Sequence, residues 1–221
     1  MMKSIFFGIV ALMFAAVVMQ QEQASAQYTN TDSSSESYKW DDMSNRCSAK
    51  LYGQIKMEFD ASLFYLQYAA YFAQYNVSLP GFEKFFFNAA SEEREHGIKL
   101  IEYALMRGQP DIVNENFSLA FGTAAEPEPE KREGKTKGSV ALTALRKALE
   151  KEELVTKSIR ELIKVCENDP NDYHLVDYLT GEFLEEQHQG QRELAGKITM
   201  LEKLLITNPM LGEFMFDKQN M

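Results

Sequence analysis

The sequence is short of positive charge, of cysteine and of the alternation of apolar and polar residues that is typical of strands. Its 221 residues include 23 Lys and Arg against 33 Asp and Glu, a formal net charge of -10. Nucleic acids are bound by phosphate neutralisation on a basic face, so this balance argues against them as partners. Metal cations are attracted by a net negative field. With 45% hydrophobic residues the chain can bury a core, and the missing alternation predicts that it is all-α.

Long apolar runs are confined to the first 26 residues. A basic start at Lys3 precedes an almost unbroken apolar run over residues 5–19, and residues 24–26 (Ala-Ser-Ala) match a signal-peptidase site. The run is shorter than the ~20 residues of a membrane-spanning helix, which favours a secretory signal over an N-terminal anchor. We therefore predict that residues 1–26 are removed. The mature chain then lies in the lumen of the secretory pathway or outside the cell, without a membrane partner.

Four segments of helical length follow a polar stretch. Residues 27–43 are mostly Ser, Thr, Asp, Tyr and Asn, which predicts a flexible extension. Helix caps and breakers predict helices over residues 44–75, 80–107, 139–167 and 172–206, and a short fifth helix over 211–216. The folded domain is predicted to span residues 44–218, with a C-terminal tail at 219–221.

The link between the second and third helices, at residues 108–138, is long enough to be a crossover. It contains Glu-Pro and Gly-Lys segments typical of an exposed loop. A helix of ~28 residues is ~42 Å long, and an extended chain covers ~3.3 Å per residue, so about 13 residues would return the chain to the other end. The other connections are short and force antiparallel neighbours. The predicted topology is two helical hairpins joined by one long crossover.

Two features depend on the secretory route. In the crossover topology Cys47 opens the first helix at the end of the bundle where Cys166 closes the third, so an oxidising compartment favours a bridge between them. Such a bridge would stabilise the fold by ~4 to 5 kcal/mol in the chain-entropy model. An intermolecular bridge and two buried thiols are the alternatives. Asn76 and Asn116 stand in glycan acceptor sequences of the Asn-x-Ser type.

Each predicted helix carries an apolar stripe, and each stripe has a polar interruption near mid-height. These interruptions are Glu58, Glu93, Glu152 and Gln187. A single inward Glu can pair with Arg, but several carboxylates in a low-dielectric core repel one another unless a cation neutralises them. His96 lies three residues after Glu93 on the same face, so both can bind one ion. Oxygen ligands with one imidazole suit iron or manganese, and the absence of thiolate argues against structural zinc.

This pattern resembles that of di-iron carboxylate bundles, but it is incomplete. A second Glu-x-x-His motif, Glu185 to His188, falls off the apolar stripe and is predicted to lie on the surface. The fourth helix presents Gln187 instead, a neutral ligand at best. We therefore expect one of two metal positions to be weakly held, which suits a site that oxidises metal and passes it on. A di-iron oxygenase is expected to have a more symmetric pair of Glu-x-x-His motifs. A four-helix signalling protein does not require polar residues buried at one level.

Several stretches of the sequence resemble ferritin, over roughly residues 44–218. They are residues 91–96 (Ser-Glu-Glu-Arg-Glu-His), 173–179, 183–187 (Phe-Leu-Glu-Glu-Gln) and 211–218. The signal, the two cysteines and residues 155–160 and 190–196 resemble the heavy-chain-type subunit of secreted insect ferritins. The resemblance implies a ferritin-like four-helix bundle with one long crossover and a short fifth C-terminal helix. It further implies a hollow shell of about two dozen subunits, homomeric or shared with a light-chain-type subunit, that oxidises Fe2+ with O2 and stores ferric mineral.

The resemblance also implies roles for individual residues. It places Glu58, Glu93 and His96 at the first iron, and Glu152 and Gln187 around the second iron. It places Tyr65 beside the site and makes Glu92 an auxiliary carboxylate. Asp177 matches one of the two acidic residues that line a threefold pore in the family, whereas Thr180 occupies the other position. If iron access fails at this pore, the alternative is a catalytically weak structural or iron-transport subunit of the shell.

Overall fold

The computed structural model describes residue 40 and residues 42–109, 139–168 and 170–221, and within these ranges all regular structure is helical. The described residues form five helices: α1 (Asn45–Phe72), α2 (Pro80–Met106), α3 (Val140–Asn168), α4 and α5 (Pro209–Gln219). Helix α4 consists of an α-helical turn at Tyr173–Tyr178, a π-helical segment at Leu179–Leu184 and a regular part at Glu185–Thr207. None of the helices in these ranges is long and apolar enough to cross a membrane. The predicted signal, nearly all of the predicted extension, Asn116 and residues 110–138 of the crossover lie outside the described residues.

The helices begin and end where the local sequence satisfies their terminal backbone groups. The hydroxyl of Ser44 accepts a hydrogen bond from the first turn of α1, and the carboxylate of Asp172 does the same for α4. Pro80 stands in the first turn of α2. Helix α1 ends at Phe72, three residues earlier than predicted, because the Phe72 carbonyl accepts from the amide of Leu79 and the chain between them turns toward α2.

The topology follows from two contacts between α1 and α3. A disulfide joins Cys47, at the start of α1, to Cys166, near the end of α3. Tyr65, in the second half of α1, hydrogen-bonds to Glu152, in the first half of α3. The two helices are therefore antiparallel, so α2 and α3 run in the same direction, as a crossover requires. The predicted four-helix bundle with a short fifth helix and the intrachain bridge are confirmed.

The core is divided into two apolar clusters by a layer of buried polar residues. One cluster surrounds the disulfide and includes Leu51, Ile55, Leu100, Ile159 and Leu175. The other lies toward α5 and includes Phe72, Phe82, Phe86, Leu145 and Phe216. On α2, α3 and α4 the polar interruption falls where one cluster gives way to the other, and on α1 it falls within seven residues of that point. The layer therefore lies at mid-height in the bundle, and it contains the predicted site.

Candidate metal centre

All four bundle helices contribute a buried polar side chain to the layer. The structure brings together the residues that the stripe interruptions predicted, together with Tyr65. Their exposed fractions are all below a tenth: Glu58 0%, Tyr65 1%, Glu93 4%, Gln187 6%, His96 7% and Glu152 9%. A cavity of about 230 Å³ reaches the layer and is lined by these residues except Glu58, and by Glu92 and Glu186. Burial at this level demands a compensating partner for the charges.

Glu58, Glu93 and His96 form a group in which one ligand atom from each side chain lies within 4.8 Å of the others. Gln54 donates from Nε2 to Oε1 of Glu58 over 2.7 Å and so fixes that carboxylate. Oε2 of Glu58, Oε2 of Glu93 and Nδ1 of His96 are all buried, and the described part of the chain offers them no hydrogen-bond partner. Three unpartnered buried acceptors that face one another fit a cation, because a shared ion would satisfy all three.

The imidazole of His96 is oriented by α4. Its Nε2 lies 3.2 Å from Oε2 of Glu186, and the ring of Phe183 packs on it at a centroid distance of 5.5 Å. Since a carboxylate accepts hydrogen bonds, Nε2 carries the proton and Nδ1 keeps its lone pair on the side of Glu93. The Nδ1 atom lies 3.9 Å from Oε2 of Glu93. The arrangement is that of a metal-binding imidazole held by an outer carboxylate.

In the absence of a cation the pKa values of both carboxyl groups are raised. Burial, and secondly the charge of Glu93, raise the pKa of Glu58 well above its usual value. Burial, followed by the charge of Glu152, raises the pKa of Glu93 to about 8. A divalent ion stabilises the ionised carboxylates and so replaces these protons. The site therefore exchanges protons for metal near neutral pH.

The other half of the layer has less negative charge. The phenol of Tyr65 donates to Oε1 of Glu152, and burial together with the Glu152 charge raises the pKa of Tyr65 well above its usual value, so it stays a donor. Gln187 contributes a neutral amide whose Oε1 accepts from the hydroxyl of Thr156 over 2.8 Å. One carboxylate and one amide would bind a second ion more weakly than the two carboxylates and imidazole of the first group.

Acidic side chains surround the mouth of the cavity. Glu92 is exposed, and its pKa is raised by partial burial and then by the charge of Glu186, which is itself half exposed. Asp177 and Thr180 lie outside the cavity lining, both exposed on α4. The Thr180 hydroxyl donates to the carbonyl of Val176. The predicted pore role of Asp177 stays a prediction.

The surface predictions can be placed as well. Glu185 and His188 are exposed, as predicted, and Nε2 of His188 lies 3.4 Å from Nη2 of Arg160. Asn76 is exposed in the connection between α1 and α2, and its use as a glycan acceptor stays a prediction.

Three site residues were not predicted from the sequence, namely Gln54, Thr156 and Glu186. Gln54 lies four residues before Glu58 and Thr156 four residues after Glu152, so each shares a helix face with a predicted residue and could have been found by that spacing. Glu186 had no such signal. It reaches His96 from another helix, two residues after the end of a π-helical segment.

A four-helix bundle with buried carboxylates and a Glu-x-x-His motif at one level defines the class of carboxylate-bridged metal proteins. Residues 48–204 match the family described as the ferritin-like domain. The chain belongs to the ferritin family. It is 54% identical to the ferritin heavy chain of Aedes aegypti over 221 residues, all of both chains. It is 51% identical to the ferritin heavy chain of Drosophila melanogaster over 180 residues, 81% of this chain and 83% of that one.

A solved structure is similar as well. The crystal structure of the secreted ferritin of Trichoplusia ni matches with a TM-score of 0.68 and 50% sequence identity. The match covers 81% of this chain and 90% of that chain. Both its fold and its sequence are therefore close to those of a ferritin described as secreted.

Proposed function

We propose that this chain is the ferroxidase subunit of a secreted iron-storage shell. Its substrate is Fe2+, its oxidant is O2 and its product is ferric iron that is stored as mineral. The observation that carries the proposal is the group of Glu58, Glu93 and His96. One ligand atom of each side chain lies within 4.8 Å of the others, and each side chain has a buried atom that finds no hydrogen-bond partner among the described residues. Carboxylate oxygens and one imidazole are ligands that iron accepts.

The proposed roles follow from the contacts. Glu58, Glu93 and His96 bind the first Fe2+. Glu93 is close enough to Glu152 for the Glu152 charge to raise its pKa, so it also reaches toward a second position beside Glu152 and Gln187. Each Fe2+ gives up one electron, and O2 accepts the electrons. Tyr65 holds the Glu152 carboxylate in place through its hydroxyl. Glu92, at the mouth of the cavity, is an auxiliary carboxylate on the path of the ion.

Secretion and assembly are parts of the same proposal. The intrachain disulfide is typical of proteins that mature in an oxidising compartment, and the similar Trichoplusia ni protein is described as a secreted ferritin. We infer a shell of about two dozen subunits, in which this chain is joined by a light-chain-type subunit.

Oxygen consumption tests the proposal. We would add about two Fe2+ per subunit to the assembled shell in air and compare it with a Glu93→Gln, His96→Asn variant. The matched control is Glu185→Gln, His188→Asn, which makes the same changes in the exposed Glu-x-x-His motif. The first variant should lose oxidation by about a hundredfold or more, because two ligands are gone, while the control keeps the wild-type rate.

The opposite outcome supports the alternative. If the wild-type shell consumes O2 no faster than Fe2+ in protein-free buffer, the chain is a structural or iron-transport subunit. Sedimentation of each sample shows whether the shell is assembled, so a loss of rate cannot be confused with a loss of assembly.

A further inference from the structure

Gln187 is the last of three polar side chains that, with one backbone carbonyl, form a chain of hydrogen bonds between α3 and α4. Nε2 of Gln191 donates to the carbonyl of Glu152 over 3.2 Å and to Oγ1 of Thr156 over 2.5 Å. Oγ1 of Thr156 donates to Oε1 of Gln187 over 2.8 Å. Thr156 and Gln187 are both buried, and Gln191 is partly buried.

The direction of this chain is fixed by its first member. A backbone carbonyl only accepts, so the atom of Gln191 that faces the carbonyl of Glu152 must be the amide nitrogen. That nitrogen also donates to the Thr156 hydroxyl, whose single hydrogen is then left to donate onward. The atom of Gln187 that meets it must be an acceptor, the carbonyl oxygen. The α3 backbone thus determines which way the Gln187 amide is turned.

We propose that Thr156 and Gln191 are positioning residues that make Gln187 a hydrogen-bond donor to the second iron position rather than a metal ligand. Its carbonyl oxygen is held by Thr156, while its amide nitrogen, on the other side of the group, is left for the cavity that Gln187 lines. Iron binds to oxygen and not to an amide N–H. The inference rests on the proposed function and says how one of its residues acts.

This orientation has a chemical use. A donor that faces the second position stabilises negative charge as it develops on oxygen during electron transfer to O2. It also leaves Glu152, already bonded to Tyr65, as the main anionic ligand there. An ion with few anionic ligands leaves the site readily, which suits a position from which oxidised iron passes to the store.

The test compares three variants of the assembled shell. Thr156→Val keeps the shape but loses the hydroxyl, Thr156→Ser restores it, and Thr199→Val removes a threonine hydroxyl on the exposed face of α4 that bonds only to its own helix. Binding of Co2+ alone is followed by its visible absorption, and Fe2+ oxidation by O2 uptake. With Thr156→Val the amide is free to turn its oxygen inward, so the second Co2+ should bind about fivefold more tightly, the worth of one neutral hydrogen bond.

The same variant should oxidise saturating Fe2+ more slowly, because the amide N–H of Gln187 no longer faces the second iron position. Its KM should be unchanged or lower, because the carbonyl oxygen of Gln187 becomes a ligand there. Thr156→Ser should return both values toward wild type, and Thr199→Val should change neither. Wild-type Co2+ affinity and wild-type rate in Thr156→Val would overturn the proposal.

A double-mutant cycle separates positioning from packing. In a Gln187→Leu background Thr156→Val should have no further effect on Co2+ binding, because there is no amide left to orient. An equal effect in both backgrounds would show that Thr156 acts through packing, and the proposal would fail. If the wild-type shell does not oxidise Fe2+ at all, the proposed function fails, while the Co2+ measurements still decide the role of Thr156.

Discussion

At the scale of single residues, Gln54 is unusual because it is buried without being fully satisfied. Its Nε2 donates to Glu58, but its own Oε1 finds no hydrogen-bond partner in the described ranges. An apolar side chain would avoid that cost. The contact with Glu58 is therefore the reason for an amide at this position, since a donor favours the ionised carboxylate and lowers its pKa against the effect of burial.

Replacing Gln54 should weaken metal binding in a pH-dependent way. In Gln54→Leu the pKa of Glu58 rises further, so a proton competes more strongly with the ion, and Co2+ affinity should fall about tenfold near pH 6.5. The loss should be smaller at pH 8 than at pH 6.5, because a proton competes less with the ion as pH rises. Gln67→Leu, on the exposed side of the same helix, is the control. Equal losses at both pH values would contradict the explanation through Glu58.

The residues of the site were predictable to the extent that a helix face identifies them. The polar interruptions at Glu58, Glu93, Glu152 and Gln187 stood out because each broke an apolar stripe. The sequence could not show that Thr156 turns the amide of Gln187, since that depends on rotamers and on atoms of another helix. Spacing along a helix identifies the face on which a residue lies, but not its partner.

At the scale of helices, the buried face was predicted wrongly where several faces of one helix are equally apolar. Steps of three and four residues back from Glu93 predict that Ala89 and Phe85 belong to the buried stripe of α2, but both are half buried, whereas Phe86 and Ala90 are the fully buried residues. Three consecutive Phe residues fit any phase, and the choice is made by stacking of Phe86 on Phe72. The π-helical segment of α4 had no sequence signal. It spans Leu179–Leu184 and has more residues per turn than an α-helix, so a period of 3.6 residues cannot be extended through it.

Docking of α5 on α2 depends on a glycine. A Cβ at Gly81 would lie 2.1 Å from the carbonyl oxygen of Asp217, and Asp217 also accepts a hydrogen bond from the amide of Phe82 over 2.9 Å. Gly81→Ala should therefore displace α5 and destabilise the protein by about 1 to 3 kcal/mol. Gly53→Ala in α1 is the control. Its Cβ meets no atom within 4 Å, so it should stabilise by ~0.5 to 1 kcal/mol. Urea unfolding measures both, and equal stability of the two variants would contradict the close packing.

At the scale of the whole molecule, both ends of the bundle are tied and the polar layer lies between them. The disulfide of Cys47 and Cys166 joins α1 to α3 at one end, and α5 packs on α2 at the other through Phe216 and Phe82. Such fixed ends keep the buried carboxyl groups close together, so ionising both of them is unfavourable. The fold thus stores an unfavourable interaction that a metal ion relieves.

This arrangement predicts how stability depends on pH. The pKa of Glu93 is about 8 in the folded chain against 4.5 as its ordinary value, so between these pH values the folded state binds more protons than the unfolded state. The contribution of Glu93 to the stability of the metal-free protein should therefore be at its maximum below about pH 4.5. It should fall as pH rises toward 8, by up to ~1.4 kcal/mol per pH unit for one proton.

Thermal unfolding of the metal-free shell across this range measures the slope. Glu93→Gln should reduce the slope, because one titrating group is gone and the Glu58 carboxyl loses a repelling neighbour, although burial still raises the Glu58 pKa. Glu95→Gln, on the exposed face of α2, should leave the slope unchanged. Added Zn2+ should reverse the slope, since the ion binds the deprotonated ligands and binds better as pH rises. A slope of the wild-type size in Glu93→Gln would mean that other groups control the pH response, and the coupling between the Glu93 proton and metal would have to be abandoned.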